Sequence, residues 1–286
     1  MTRERLLAGT PVTERRVQLA GATTALLEGG AGPPVVLLHG GIECGGVYWA
    51  PALSRLAERH RVVVPDVPGL GESEPVAQLD DVFADWLTAV IESTCDEKPM
   101  LVAHSLLGSL AARYAALRGD ALRRLVIYGT PGVGPYRLPV GLLVAAILFD
   151  LRPSQRNSDR FSRWAFLDPD LTRRENREWL DAFDAYTMAR ASTPHVKRTM
   201  RRLIKTCTKR VPDAELQRIQ IPTDLIWGRH DRMVPLRVAE FASSTHGWPL
   251  HVIDGAGHVP HIEQPGAFLD ALRPALEALT GEEAAA

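Results

Sequence analysis

Short apolar runs recur along the first 130 residues of the chain, and each of them ends at a turn-forming segment. These runs, rich in Val and Leu, lie at Val35–Leu38, Val62–Val64, Met100–Ala103 and Leu125–Tyr128. A short apolar run bounded by turn residues is typical of a strand buried on both faces. Between the runs, apolar residues recur with helical spacing at about 49–59, 79–94 and 106–118. The alternation predicts an α/β fold, with a mostly parallel twisted sheet and helices on both faces.

The strand rhythm stops after Leu125–Tyr128 and returns only near the end of the chain. Strands are predicted at Thr223–Trp227 and Leu250–Asp254, and a closing helix from about Pro265. The intervening segment has helical patterns and no clear strand, so we predict a helical cap at 131–212, inserted between core parts at 1–130 and 213–286. An N-terminal hairpin is expected at 15–28, with its turn at Gly21-Ala22, and a frayed tail at 281–286.

Charge and composition exclude several classes of protein. The 33 Lys and Arg residues nearly balance the 34 Asp and Glu residues, so the whole chain has no global attraction to nucleic acid or an anionic membrane. The longest apolar run, Leu138–Phe149, is too short to span a bilayer. The N-terminus has no apolar stretch of signal-peptide length. We therefore expect a soluble, cytoplasmic protein.

The three cysteines, Cys44, Cys95 and Cys207, are widely spaced and odd in number. Their spacing fits neither a metal motif nor a disulfide framework. No metal and no cofactor are expected.

Three residues with complementary chemistry each follow a predicted strand. Ser105 comes first in the chain, then Asp231, then His258. A parallel sheet brings the carboxyl ends of its strands to one edge, and this chain order is the one expected when such a sheet supplies a nucleophile, an acid and a base there. A serine hydroxyl needs a neighbouring base to accept its proton, and the base needs an acid to orient it.

Five segments, taken in order, make the chain resemble the α/β-hydrolase superfamily, in its serine-nucleophile branch with a helical cap. They are His39-Gly40-Gly41, Asp66-x-Pro-Gly-x-Gly-x-Ser73, the segment around Ser105, Trp227-Gly-x-x-Asp231-x-x-x-Pro235, and Gly257-His258-x-Pro-His-x-Glu-x-Pro265. The resemblance implies the fold of that superfamily, with Ser105 as nucleophile, His258 as base and Asp231 as the orienting acid.

The resemblance also implies an oxyanion hole formed by the backbone N–H groups of Leu106 and Gly41. Phe161 and Trp164 in the cap and Val259 beside the base are candidates for the substrate pocket. One position departs from the family pattern: Leu107 stands two residues after Ser105, where a small residue is usual, and Gly108 follows one place late. Leu107 is expected either to meet small neighbours or to displace the turn.

Several residues also have simpler interpretations. Ser105 could be a helix cap, Asp231 a turn residue and His258 a loop histidine, as we expect for His261. His104 and Cys44 are predicted to be structural. Leu138–Phe149 could touch a membrane or form a cap helix that buries its apolar face over the site. The basic residues between 197 and 210 could form a solvated helix face or bind an anionic partner.

A serine nucleophile argues against the branches of the superfamily that use an aspartate, the haloalkane dehalogenases and epoxide hydrolases. In the branch that hydrolyses carbon–carbon bonds of ring-cleavage products, a tryptophan usually follows the catalytic histidine, whereas this chain has Val259. Hydrolysis of an ester, thioester or lactone of a mostly apolar small molecule is therefore expected. A carbon–carbon hydrolase or lyase using the same triad, and a non-catalytic binding protein of this fold, are the alternatives. The sequence leaves the oligomeric state open.

Overall fold

The computed structural model describes residues 3–281. Residues 282–286 of the predicted frayed tail lie outside the described residues. Among residues 3–281, no helix is both long and apolar enough to cross a membrane.

One twisted sheet forms the centre of the molecule. Its strands in chain order are β1 (Val12–Leu19), β2 (Ala22–Gly29), β3 (Pro34–Leu38), β4 (Arg61–Pro65), β5 (Met100–His104), β6 (Arg124–Tyr128), β7 (Thr223–Gly228) and β8 (Leu250–Ile253). In space they follow the order β1-β2-β4-β3-β5-β6-β7-β8. The pairs β1–β2 and β2–β4 are antiparallel, and every other neighbouring pair is parallel.

Burial explains why the central strands consist of unbroken apolar runs. Every residue of β3 and β5 is buried, as expected for strands with helices on both faces. In β1, at the edge of the sheet, most side chains are exposed. Its antiparallel register with β2 places the hairpin turn at Ala20-Gly21, one residue earlier than predicted, because Ala22 already pairs with Leu19. Both turn residues have positive φ.

Helices cover both faces of the sheet. Ahead of β6 they are α1 (Arg3–Leu6), α2 (Ala50–Ala57), α3 (Leu79–Thr94) and α4 (Ser105–Arg118). Between β6 and β7 they are α5 (Val140–Leu151), α6 (Gln155–Ala165), α7 (Pro169–Glu175), α8 (Arg177–Ala191), α9 (Pro194–Cys207) and α10 (Asp213–Leu216). After β7 they are α11 (Arg237–His246), α12 (Pro260–Glu263) and α13 (Pro265–Thr280).

Two separate apolar clusters result from this layering. One packs α3, α4 and α11 against one face of the sheet and includes Trp86, Leu107 and Trp227. The other packs α2 and α13 against the opposite face and includes Trp49 and Phe268. The predicted fold class, a mostly parallel sheet with helices on both faces, is confirmed. The sequence reasoning missed α11, whose Gly247 C-terminus has positive φ.

The segment between β6 and β7 is helical, with α5 to α9 inside the predicted cap range of 131–212. None of the residues that pair in the sheet comes from this range. Its treatment as a cap with those boundaries stays a prediction.

Candidate active site

The backbone at Ser105 is strained. Ser105 is the first residue of α4 and directly follows β5, and its φ of 49° lies in the left-handed region that residues with a Cβ seldom adopt. A sharp strand-to-helix turn of this kind exposes a hydroxyl at the carboxyl edge of the sheet. Only one other non-glycine residue, Ala20, has a positive φ among residues 3–281.

The unusual Leu107 is accommodated without loss of this turn. Its side chain is fully buried in the apolar cluster on its face of the sheet. The close approach falls instead at Gly108, where an added Cβ would lie 2.0 Å from Oγ1 of Thr130, just after β6. The small residue is needed one position later than the family pattern suggests.

The side chains of Ser105, His258 and Asp231 form one hydrogen-bonded chain. His258 Nε2 lies 2.9 Å from Ser105 Oγ, and His258 Nδ1 lies 2.8 Å from Asp231 Oδ2. The carboxylate can only accept, so Nδ1 carries the proton and Nε2 is free to accept from the hydroxyl. All three residues are buried.

The Asp231 carboxylate is held by its own loop. Its Oδ1 accepts hydrogen bonds of 2.8 Å from the backbone N–H groups of Met233 and Val234. The Val234 carbonyl accepts in turn from the indole N–H of Trp227, in β7, at 2.8 Å. The second oxygen, Oδ2, is thereby aimed at His258.

The two residues proposed to supply the oxyanion hole, Gly41 and Leu106, are neighbours in space. Leu106 is the second residue of α4, so its N–H has no acceptor one helical turn earlier. Gly41 has a φ of 69°, and an added Cβ there would come within 3.0 Å of Leu106 Cβ. Glycine therefore serves both the turn and the close contact.

A buried Tyr–His pair, which sequence reasoning missed, supports the backbone of His258. His104 Nε2 lies 2.9 Å from the His258 carbonyl oxygen, and Tyr48 O–H lies 3.0 Å from His104 Nδ1. Burial holds the pKa of His104 well below its usual range, so the ring is neutral, donating at Nε2 and accepting at Nδ1. The ring of Tyr128 stacks on His104 with centroids 4.2 Å apart. His104, next to Ser105, could have drawn attention to this pair, but nothing in the sequence pointed to Tyr48.

His261 is a core residue and not the loop histidine that we expected. It lies in α12, is fully buried, and its Nδ1 is 3.2 Å from the hydroxyl of Tyr128. Burial lowers its pKa to about 3. The short helix α12, which begins at Pro260, turns this side chain inward.

The segment predicted as cap contacts the loop that carries His258. The Ala165 carbonyl, at the end of α6, accepts from the His258 N–H at 2.8 Å. The carboxylate of Glu263 accepts from the N–H of Leu167 at 2.5 Å and from that of Gly257 at 2.8 Å. The backbone on both sides of His258 is thereby joined to the 165–167 segment.

The predicted pocket residues lie among apolar neighbours at this boundary. Val259 is buried in a cluster that also contains Cys44, Tyr48 and Phe183. The indole of Trp164 packs against Gly141 at the start of α5, and the ring of Phe161 lies 6.5 Å from that of Phe149. These contacts of Phe161 and Trp164 are with α5 and not with the triad, and the role of both residues in substrate binding stays a prediction.

A further carboxyl group, which sequence reasoning did not single out, belongs to Glu43, two residues after Gly41. Glu43 is half-buried, and its burial raises its pKa to about 7, with Asp150 of α5 acting in the same direction. The thiol of the adjacent Cys44 is buried, which raises its pKa, and it is unsuited to act as a nucleophile. Asp66 forms a structural turn, accepting from the N–H of Glu72 at 2.8 Å and pairing with Arg3 at 2.9 Å.

Comparison with known proteins agrees with this architecture. The chain is 26% identical over 272 residues to a 2-hydroxymuconate semialdehyde hydrolase from a Pseudomonas strain, covering 91% of this chain and 92% of the relative. It is 26% identical over 260 residues to a pimeloyl-[acyl-carrier protein] methyl ester esterase from Aeromonas salmonicida, covering 85% and 95%. The crystal structure of a 2-hydroxy-6-oxo-6-phenylhexa-2,4-dienoate hydrolase from a Rhodococcus strain superposes with a TM-score of 0.79 at 24% identity, covering 94% and 99%. A sequence model of the alpha/beta hydrolase fold matches residues 33–265, and the chain belongs to the α/β-hydrolase family.

Proposed function

We propose that this protein is a serine hydrolase that cleaves an ester, thioester or lactone of a mostly apolar small molecule through an acyl-enzyme on Ser105. The observation that carries the proposal is the chain from Ser105 Oγ to His258 Nε2 at 2.9 Å and from His258 Nδ1 to Asp231 Oδ2 at 2.8 Å. The strained turn at Ser105 supports it, because a helix-capping serine does not need a positive φ.

In the proposed reaction Ser105 Oγ attacks the carbonyl carbon of the substrate while its proton moves to His258 Nε2. The carbonyl oxygen becomes an oxyanion that accepts from the N–H groups of Leu106 and Gly41. Such donors contribute on the order of 3 kcal/mol each to transition-state stabilisation. The bond to the leaving alcohol or thiol then breaks, and His258 returns the proton to the leaving group. Water, deprotonated by His258, attacks the acyl-enzyme and releases the acid and the free serine.

The test is covalent labelling followed by a substrate screen. A fluorophosphonate probe should label the protein, and Ser105→Ala should remove the label. The control is Ser109→Ala, because Ser109 lies one turn further along α4 and bonds to backbone carbonyls of Pro131 and Cys207. A screen of esters and thioesters of increasing acyl length then identifies the substrate class. Labelling that persists in Ser105→Ala would contradict the proposal, as would a folded wild-type protein that hydrolyses none of the substrates and takes no label.

Carbon–carbon hydrolysis is the second candidate, because several relatives carry names of that kind, including the Pseudomonas and Rhodococcus proteins above. The same triad would serve it. Vinylogous diketones should be included in the screen, since turnover of these substrates with no ester turnover would favour this candidate.

A further inference from the structure

Helix α5 presents a continuous apolar face to solvent. Its exposed side chains are spaced at i, i+3, i+4, i+7 and i+11, which places them on one face: Val140, Leu143, Val144, Ile147 and Leu151. Their exposed fractions range from 40% to 77%. The opposite face packs inward through Leu142, Ala145 and Phe149. The prediction of a buried helix therefore holds for one side of α5 only, and the other side has no covering element among residues 3–281.

This apolar face lies in a strongly basic part of the molecule. Residues 131–212 contain 16 Lys and Arg against 8 Asp and Glu, a net charge of +8. The rest of the chain contains 17 against 26, a net charge of −9, so the near-neutral total conceals two regions of opposite sign. Exposed arginines lie on both sides of α5 in the chain, at Arg137, Arg152 and Arg156, and no ion pair involving them is found among residues 3–281.

The basic helix α9 is fixed beside the end of α5. Arg201 donates to the carboxylate of Asp150 at 3.0 and 2.6 Å, and Lys197 donates to the Asp150 carbonyl. Asp150 neutralises Arg201, whereas Lys197 bonds to a carbonyl and keeps its charge, so a positive charge lies at the end of the apolar face in space as well as in sequence.

We propose that the exposed face of α5 docks on the surface of an anionic lipid bilayer. A helix with an apolar face bordered by Lys and Arg is the arrangement that binds in the plane of a membrane surface. Twelve residues of helix extend about 18 Å, which is too short to cross the hydrocarbon core. The helix therefore lies on the membrane.

The charge of the segment favours an anionic bilayer over a second copy of the chain as the partner of α5. Two copies joined through α5 would bring two segments of net charge +8 together, which is repulsive, whereas an anionic surface attracts these segments. The opposite charge of the remaining chain orients the molecule with residues 131–212 toward the lipid. Such docking would place the proposed hydrolase where apolar substrates collect, but the binding itself does not depend on catalysis.

The experiment is flotation of the full chain with phosphatidylcholine vesicles that contain or lack phosphatidylglycerol, at low and at physiological salt. We expect binding to the anionic vesicles that weakens with salt. The double variant Ile147→Ser with Leu151→Ser and the charge reversal Arg137→Glu with Arg152→Glu should each bind about tenfold more weakly or worse. Leu117→Ser and Arg218→Glu, exposed residues outside the basic segment, should bind like the wild type.

Three outcomes would overturn the proposal. The first is that folded wild-type protein does not bind the vesicles. The second is that the two control variants lose as much vesicle binding as the variants of the basic segment. The third is a dimer in sedimentation velocity that Ile147→Ser dissociates. If circular dichroism shows that the double serine variant is unfolded, Val144→Ser alone is the second test of the same face. Fluorophosphonate labelling of Ser105, measured on the same samples, is expected in every folded variant, so failure of docking and failure of the proposed chemistry are distinguishable.

Discussion

Ser105, His258 and Asp231 depend for their alignment on residues outside the three of them. Asp231 is fixed by two N–H groups of its own loop, and the His258 backbone by His104 and by the Ala165 carbonyl. Because these bonds engage Asp231 Oδ1 and the backbone of His258, Asp231 Oδ2 and the two ring nitrogens of His258 are left to form the chain that ends at Ser105.

The proposed role of Asp231, which is to orient His258, can be tested by one isosteric substitution. Asp231→Asn should keep the fold, because the amide oxygen can still accept from Met233 and Val234. It should lower kcat by about 10⁴, because the imidazole loses the anion that orients it. Steady-state kinetics with a thermal melt measures both. Asp224→Asn is the control, since Asp224 is also buried but lies within β7 and pairs with Arg124. Near-normal turnover of Asp231→Asn would mean that another carboxylate orients His258.

Tyr48 is expected to act as a positioning residue. Tyr48→Phe removes the donor to His104 Nδ1, so His104 is held less firmly against the His258 carbonyl. One hydrogen bond is worth about 1 kcal/mol, so we expect kcat to fall roughly fivefold to tenfold with little change in KM. The pH profile of kcat/KM should shift as well.

Tyr114→Phe is the matched control for Tyr48→Phe, because it removes a buried hydroxyl that bonds to Thr88, far from the triad. If both variants lose the same activity and the pH profile is unmoved, Tyr48 has only a structural role.

Buried histidines should make the protein sensitive to acid. The folded-state pKa of His261 is about 3, below its ordinary value of 6.5. Between these two pH values the unfolded chain therefore binds a proton at His261 and the folded chain does not. The contribution of His261 to stability is complete above pH 6.5 and is lost as the pH falls from there toward 3, at about 1.4 kcal/mol per pH unit.

Urea unfolding at several pH values tests this assignment. His261→Phe should reduce the slope of unfolding free energy against pH between 4 and 6 by about that amount. Comparison of slopes removes opposing contributions such as that of Glu43, whose pKa is raised to about 7 and whose stabilising effect falls as the pH rises from 4.5 to 7. Equal slopes for His261→Phe and wild type would show that His261 is protonated in the folded protein.

At the scale of elements, the position of α4 relative to β5 depends on the contact between α4 and the residues just after β6. Leu107 fills the core, and Gly108 allows the approach of Thr130. The helix begins at a strained residue, so any displacement of α4 moves the proposed nucleophile directly.

Gly108→Ala should destabilise the protein and lower activity. The added Cβ would lie 2.0 Å from Thr130 Oγ1, and overpacking of this kind costs about 1–3 kcal/mol, partly offset by the better helix propensity of alanine. Gly266→Ala, in α13, is the control because an added Cβ there meets nothing within 4 Å, and it should be neutral or stabilising. Thermal melts and kcat measure the pair. Equal melting temperatures would show that α4 can shift without cost.

At the scale of the whole molecule, the helices between β6 and β7 are joined to the core around the loops of the triad. Arg232, next to Asp231, donates to the carbonyls of Arg163 and Leu167 at 3.1 and 3.2 Å, and Tyr136 donates to the Met233 carbonyl at 3.1 Å. The predicted cap, joined to the core in this way, would exclude water and add apolar contacts with a substrate.

The predicted pocket role of the cap can be tested through substrate selectivity. Phe161→Ala and Trp164→Ala should change kcat/KM ratios between short and long acyl substrates by about tenfold or more, since a lost aromatic contact is worth about 1.5–3 kcal/mol. Leu171→Ala, a half-exposed apolar residue of α7, should leave the ratios as they are. An unchanged ranking in all three variants would place selectivity in the loops of the core.

What the sequence by itself determined is the local pattern. Apolar runs of strand length predicted the parallel strands to within a residue or two, because a strand buried on both faces must be apolar throughout. The order of Ser105, Asp231 and His258 at strand ends predicted that their side chains would lie at one edge. Their catalytic roles and the cap boundaries stay predictions until they are measured.

What only the tertiary structure decided are contacts between distant segments. The pairing of Tyr48 with His104 spans 56 residues and the bond from His104 to the His258 carbonyl spans 154, so no local pattern could reveal them. The apolar run of α5 was visible in the sequence, but which of its faces is buried depends on the helices that pack against it. When a helix is apolar on every side, the spacing of its residues does not show which side will pack against another element.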